Sequence, residues 1–136
     1  MSRPWRGPPG DTERGSVVAE FVMVAALLTA LTLAVLQLAL ALHIRNTVLD
    51  AAAEGARYAA LADSGLERGA QRSRDLITAV LGPVYATDVS ASYTAVAGQP
   101  GVAVRVVAPL PLFGLLGLDR GLEVEGHAVV EGLADE

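Results

Sequence analysis

The residues of this 136-residue chain whose type and spacing suit chemistry begin with a junction, Arg14-Gly15-Ser16-Val17-Val18-Ala19-Glu20-Phe21. At Gly15 the backbone can be approached closely and can take dihedrals closed to other residues, as a protease requires of a scissile bond beside a membrane; a plain flexible joint is the alternative. Glu20 stands at the edge of a long uncharged run, where a carboxylate is costly unless it is paired or reaches water. Interaction with the positive end of a helix dipole is the simpler role. A capping box is excluded, because Ala19 occupies the position three after Ser16 where Glu or Gln is needed. Glu123, Glu125 and His127 alternate along a second segment. They could hold a divalent ion weakly, and a solvated strand face accounts for the same pattern. Neither His43 nor His127 has a partner at the spacing of a metal site, and no phosphate-cradling Gly loop or nucleophile elbow is present. The sequence predicts no enzyme, no metal and no cofactor.

Composition narrows the field further. The chain is 52% hydrophobic and 18% charged, with a mean hydropathy of +0.44, too apolar for an ordinary soluble domain of this size. A length of 136 residues allows one domain of ordinary size at most. The net charge of −5 speaks against a nucleic-acid partner, which needs a basic stripe facing the phosphates. All ten basic residues are Arg, and with no Cys there is neither a disulfide framework nor a thiolate metal site.

The excess hydrophobicity is local. From Phe21 to Leu42 no residue is charged, and only Thr29, Thr32 and Gln37 interrupt the apolar run. Its twelve Leu, Val and Phe residues favour a bilayer by roughly 4 to 7 kcal/mol. At 1.5 Å per residue the run is about 33 Å long, against about 30 Å of hydrocarbon. A retained membrane helix is therefore expected. A removable signal peptide, with Ala39-Leu40-Ala41 as its cleavage site, would have a shorter apolar run. Arg3, Arg6 and Arg14 precede the span while Arg45 and Arg57 follow it, a bias that favours a cytoplasmic N-terminus and an exported C-terminal part.

The elements that position these residues follow from period and punctuation. Residues 1–15 carry Pro4, Gly7, Pro8, Pro9 and Gly10 and are expected to be neither helix nor strand. The membrane helix, placed at 16–43, is expected to continue out of the bilayer, since no Pro and a single Gly lie between Leu42 and Asp63. On that extension Asn46, Asp50, Glu54 and Arg57 share a polar face, and Val48, Ala52, Ala56 and Ala59 a narrow stripe of mostly small residues. The stripe suits packing on the chain's own sheet or on other subunits. After Asp63-Ser64-Gly65, Leu66, Ala70, Ile77 and Val80 or Leu81 recur at helical intervals until Gly82-Pro83. From Thr87 the period becomes two. Val89, Ala91 and Tyr93 alternate with Ser90, Ser92 and Thr94 as a first strand; Gly98-Gln99-Pro100-Gly101 is expected as a turn, Val102 to Ala108 as a largely buried strand, and Leu122 to Glu131 as a third strand with Leu122, Val124, Ala128 and Val130 on one face and Glu123, Glu125, His127 and Glu131 on the other. The apolar segment 110–118 reads as a loop that folds over the sheet, rests on a membrane or meets another subunit. The fold expected is α+β: one N-terminal transmembrane helix running on as a long helix, a short second helix and a small three-stranded antiparallel sheet. It divides into a hydrophilic leader (1–15), a transmembrane helix (16–43) and an exported domain (44–136).

The junction resembles the processing site of type IV prepilins and pseudopilins: a hydrophilic leader ending in Gly15, four residues, Glu20-Phe21, then a long apolar helix. Beyond the span, Ala51-Ala52-Ala53-Glu54-Gly55-Ala56-Arg57-Tyr58-Ala59 resembles a stretch of TadE-like proteins, minor pseudopilins of tight-adherence (Flp) pilus systems. The two resemblances cover roughly residues 15–62. They imply a pilin-like long helix, cleavage between Gly15 and Ser16 by a membrane-bound prepilin peptidase, and Glu20 as the fifth residue of the mature chain. They also imply that Glu20 and Phe21 act in assembly, Glu20 being neutralised by the new α-amino group of Ser16 on a neighbouring subunit. The partners implied are the membrane, the peptidase, other pilin or pseudopilin subunits and the pilus assembly platform, at the cell membrane. The alternative is an uncleaved single-pass protein whose exported domain binds or scaffolds something outside the cell.

Overall fold

The computed structural model describes residues 2–5, 11–61, 64–110 and 121–130. The elements are α1 (Asp11–Ala60), α2 (Leu66–Val80), a 3₁₀ turn (Pro83–Ala86), and strands β1 (Asp88–Val96), β2 (Gln99–Ala108) and β3 (Leu122–Val129). This is the α+β architecture expected. The chain forms two compact units, Met1–Leu38 and Ala39–Glu136. Most of segment 110–118 and the end of the expected third strand at Glu131 lie outside the described residues.

α1 starts at Asp11, so residues 11–15 are helical, contrary to the irregular leader expected. The breakers end at Pro9 and Gly10, and Glu13 then sits in the first turn, where the helix dipole favours negative charge. Within the first unit no described residue packs over the helix: Phe21, Leu27 and Leu31 are among many exposed large apolar side chains. The window of mean hydropathy 2.4 is 0% buried, whereas the core helix of a soluble protein would be mostly buried. Thr29 and Thr32 each donate a hydroxyl to the carbonyl four residues back, at 2.8 Å, which satisfies both groups without water. By length and composition α1 is long and apolar enough to cross a membrane, which suggests a single-pass membrane protein.

In the second unit the end of α1, α2 and one face of the sheet enclose the core. Ile44, Val48, Ala52 and Ala56 of α1 meet Ala70 and Ile77 of α2 and Val89, Val102, Val104, Val106 and Val124 of the sheet. The small-residue stripe Val48, Ala52, Ala56 and Ala59 is thus buried inside its own unit. At the end of α2, Leu81 packs on the core and Val80 is exposed.

The sheet has order β1-β2-β3, antiparallel throughout. Its hairpin turn is Ala97-Gly98, both with positive φ, the pattern of a two-residue type I′ turn. Gln99, Pro100 and Gly101, expected in the turn, already belong to β2. Val89, Ala91 and Tyr93 pair with Val106, Val104 and Val102 and so share the core face. Tyr93 is nevertheless 71% exposed, because it lies toward the hairpin end of an edge strand where no described residue covers its ring.

Candidate functional site

Gly15, Ser16, Glu20 and Phe21 lie within the first three turns of α1. In a helix beginning at Asp11, the first amide with a partner four residues back is that of Gly15. Opening the backbone through Ser16 gives up about five helical hydrogen bonds, those in which the carbonyls of residues 11–15 accept from the amides of residues 15–19. A Cβ at Gly15 would meet nothing within 4 Å, so packing does not require glycine there. Ser16 and Glu20 are four apart on one helix face, about 6 Å along the axis. Glu20 is exposed and has no hydrogen bond or ion pair among the described residues. Phe21 is 72% exposed.

The stretch Glu54 to Tyr58 lies in the second unit and splits by face. Glu54 and Arg57 form an ion pair at 3.8 Å on the surface, a contact worth little in water, and Tyr58 is partly exposed. Ala56 is buried. Gly55 faces α2: a Cβ there would run into the Ser73 side chain and come within 2.6 Å of the Gly69 carbonyl oxygen. A Cβ at Gly69 would in turn reach the Ala59 side chain and the Gly55 carbonyl. The two helices therefore cross where both lack a side chain. Ser73 closes the contact by donating its hydroxyl to the Ala51 carbonyl at 2.9 Å.

Two packing residues are not evident from apolar periodicity. Ser73 is a fully buried polar side chain on the helix face assigned only to apolar residues. Gly126 lies on the inward face of β3 between Val124 and Ala128, and a Cβ there would collide with the α1 backbone at Ala52 and Ala53. A glycine at an inward position of an alternating strand is the signal that points to such an approach.

On the outer sheet face, Glu123 pairs with Arg105 at 2.8 Å and Glu125 with His127 at 2.7 Å. Arg105 thus draws Glu123 into a separate contact. Among the described residues no group of three or more His, Cys, Asp or Glu side chains is placed to hold a metal ion. His43 is exposed just beyond the apolar run.

No curated protein and no solved structure matches the chain. Residues 15–57 match the family model described as TadE-like protein, a segment that runs from Gly15 through the span to Arg57, and the chain is consistent with a TadE-like protein related to Tad pili.

Proposed function

We propose that the protein is a TadE-like minor pseudopilin, inserted with its N-terminus cytoplasmic, cut between Gly15 and Ser16 by a prepilin peptidase, and engaged through α1 in assembling a tight-adherence pilus. The observation that carries this reading is the reach of the family match, which begins at Gly15 and includes Glu20, the span and Glu54-Gly55-Ala56-Arg57. The position of the junction supports it. A peptidase needs an extended scissile segment, and Gly15, a residue about 1 kcal/mol poorer than Ala as a helix former, lies near the start of α1, so that opening there leaves the helix beyond it paired. Glu20 then becomes the fifth residue of the mature chain, in an exposed apolar helix that leaves its carboxylate free for the new amine of Ser16 on a neighbouring subunit.

N-terminal sequencing of membrane-extracted protein, produced with a matching prepilin peptidase, tests the reading. Ser16 as first residue is expected, and Gly15→Lys should abolish that product. Met1 or Ser2 would instead identify an uncleaved anchor with an exported binding domain, and a start at Leu42 a secreted protein. Either outcome overturns the proposal.

A further inference from the structure

We propose that the membrane-near end of the second unit, formed by Val80, Pro83 and Val84, rests in the headgroup layer of the membrane, so that this unit lies on the lipid surface. The inference depends on α1 spanning that membrane.

The direction of α2 carries it. Gly69 sits beside Gly55, Ser73 donates to Ala51, and Val80 shares a groove of about 530 Å³ with Thr47. Each turn of α2 therefore moves back along α1 toward the end of the apolar run, Ala39 to Leu42, which belongs to the same unit. Thr47 is five residues beyond Leu42, about 7.5 Å along the helix. The polar layer of one leaflet is about 5 to 7.5 Å deep, so the end of α2 comes level with its outer part.

Side-chain chemistry changes along α2 in the same direction. Its charges, Glu67, Arg68, Arg72, Arg74 and Asp75, all lie in the part far from the apolar run, and from Leu76 to Thr87 no residue is charged. Within that uncharged stretch Val80 is 62% and Val84 63% exposed, and Pro83 is exposed beside them. Apolar groups left open at the level of the headgroups gain by entering the interface. Arg45, three residues past Leu42, is exposed and without an ion pair among the described residues, as suits a cation facing lipid phosphates. These neighbours single out lipid as the occupant.

The chain has no Cys, so single-cysteine variants labelled with the fluorophore NBD report local surroundings directly. Full-length Val84→Cys and Val80→Cys, reconstituted in phosphatidylcholine–phosphatidylglycerol vesicles, are expected to emit at shorter wavelength. They should lose most of that emission when lipids with a nitroxide near the headgroup are included. Gln99→Cys at the hairpin should be unaffected, and Leu31→Cys inside the span should be quenched by lipids labelled deep in the acyl chain. A quenched Leu31 site with both valine sites behaving like Gln99 overturns the inference while leaving the span intact. A blue-shifted but unquenched label at both valine sites would place them against protein and overturn it too. An unquenched Leu31 site removes its premise.

Discussion

Replacing Gly126 by Ala inverts what strand chemistry alone predicts. Glycine weakens a strand interior, and removing it there ordinarily gains about 0.5 to 1 kcal/mol. In this fold an ideal Cβ at Gly126 would lie 2.7 Å from the Ala53 Cα and nearer still to its backbone nitrogen. Ordinary contact needs about 3.5 to 4 Å, so β3 and α1 must separate by about 1 Å. Because the obstruction is helix backbone, no flexible side chain can give way. A gap of that size forfeits about a quarter to a half of each contact across it, and overpacking of this kind costs about 1 to 3 kcal/mol. The net expectation is a loss of about 1.2 kcal/mol, a roughly eightfold rise in the open population. Amide hydrogen exchange of β2 residues Val102 to Val106, measured on the full chain in detergent micelles, reads this directly because β2 is the central strand. Gly15→Ala, where a Cβ meets nothing, should leave that exchange unchanged. Exchange in Gly126→Ala equal to or slower than wild type would refute the close approach of α1 to β3.

Other substitutions separate the remaining contacts. Ser73→Ala removes the hydroxyl that bonds the Ala51 carbonyl and should destabilise the second unit by about 1 kcal/mol, read as a lower urea midpoint for proteolysis of the sheet. Gly55→Ala should cost more. Its effect should shrink in a Ser73→Ala background, since the Ser73 side chain is part of the obstruction and neighbouring substitutions couple. In a double-mutant cycle, Arg105→Ala and Glu123→Ala should show a coupling below about 1 kcal/mol that fades with salt, because both partners of this pair are more than half exposed. Glu20→Ala should leave insertion and cleavage intact and impair co-isolation with pilus subunits; normal assembly by this variant would remove the pairing argument.

The elements were largely legible because each is marked by a period that its burial requires. Phe21 to Leu42 needs no period, being apolar all round, and it is exposed all round. Val48, Ala52, Ala56 and Ala59 were legible as a stripe, and their burial in the second unit follows. Less legible was anything decided by what lies across the contact. Asp11 to Gly15 is helical although the Pro-rich leader before it suggested otherwise, since breakers act on their own neighbourhood and stop at Gly10. The hairpin turn shifted to Ala97-Gly98 because strand register, set by Val102, Val104 and Val106 facing inward, fixes where the turn must close. Ser73 and Gly126 escaped notice because a hydrophobic pattern cannot represent a buried hydroxyl with a backbone partner, nor an empty position that admits a helix.

The segment matched by the family model therefore contains residues answering to two different demands. From Ser16 to Leu42 the helix is largely uncovered by the described residues, so under the proposed function substitutions there would act on lipid and on neighbouring subunits. At Gly55 and Ala56 the contacts are internal, and only Glu54, Arg57 and Tyr58 of that stretch remain on the surface. A phenotype at Gly55 thus diagnoses failure of α1 to dock on α2, however much it resembles an assembly defect. One at Glu20, which has no hydrogen bond or ion pair among the described residues, would under the proposed function bear on assembly itself. If the proposed function is right, raising the stability of the second unit by an independent substitution should rescue a Gly55 variant and should not rescue Glu20→Ala. Equal rescue of both would mean that Glu20 acts through the folding of its own chain.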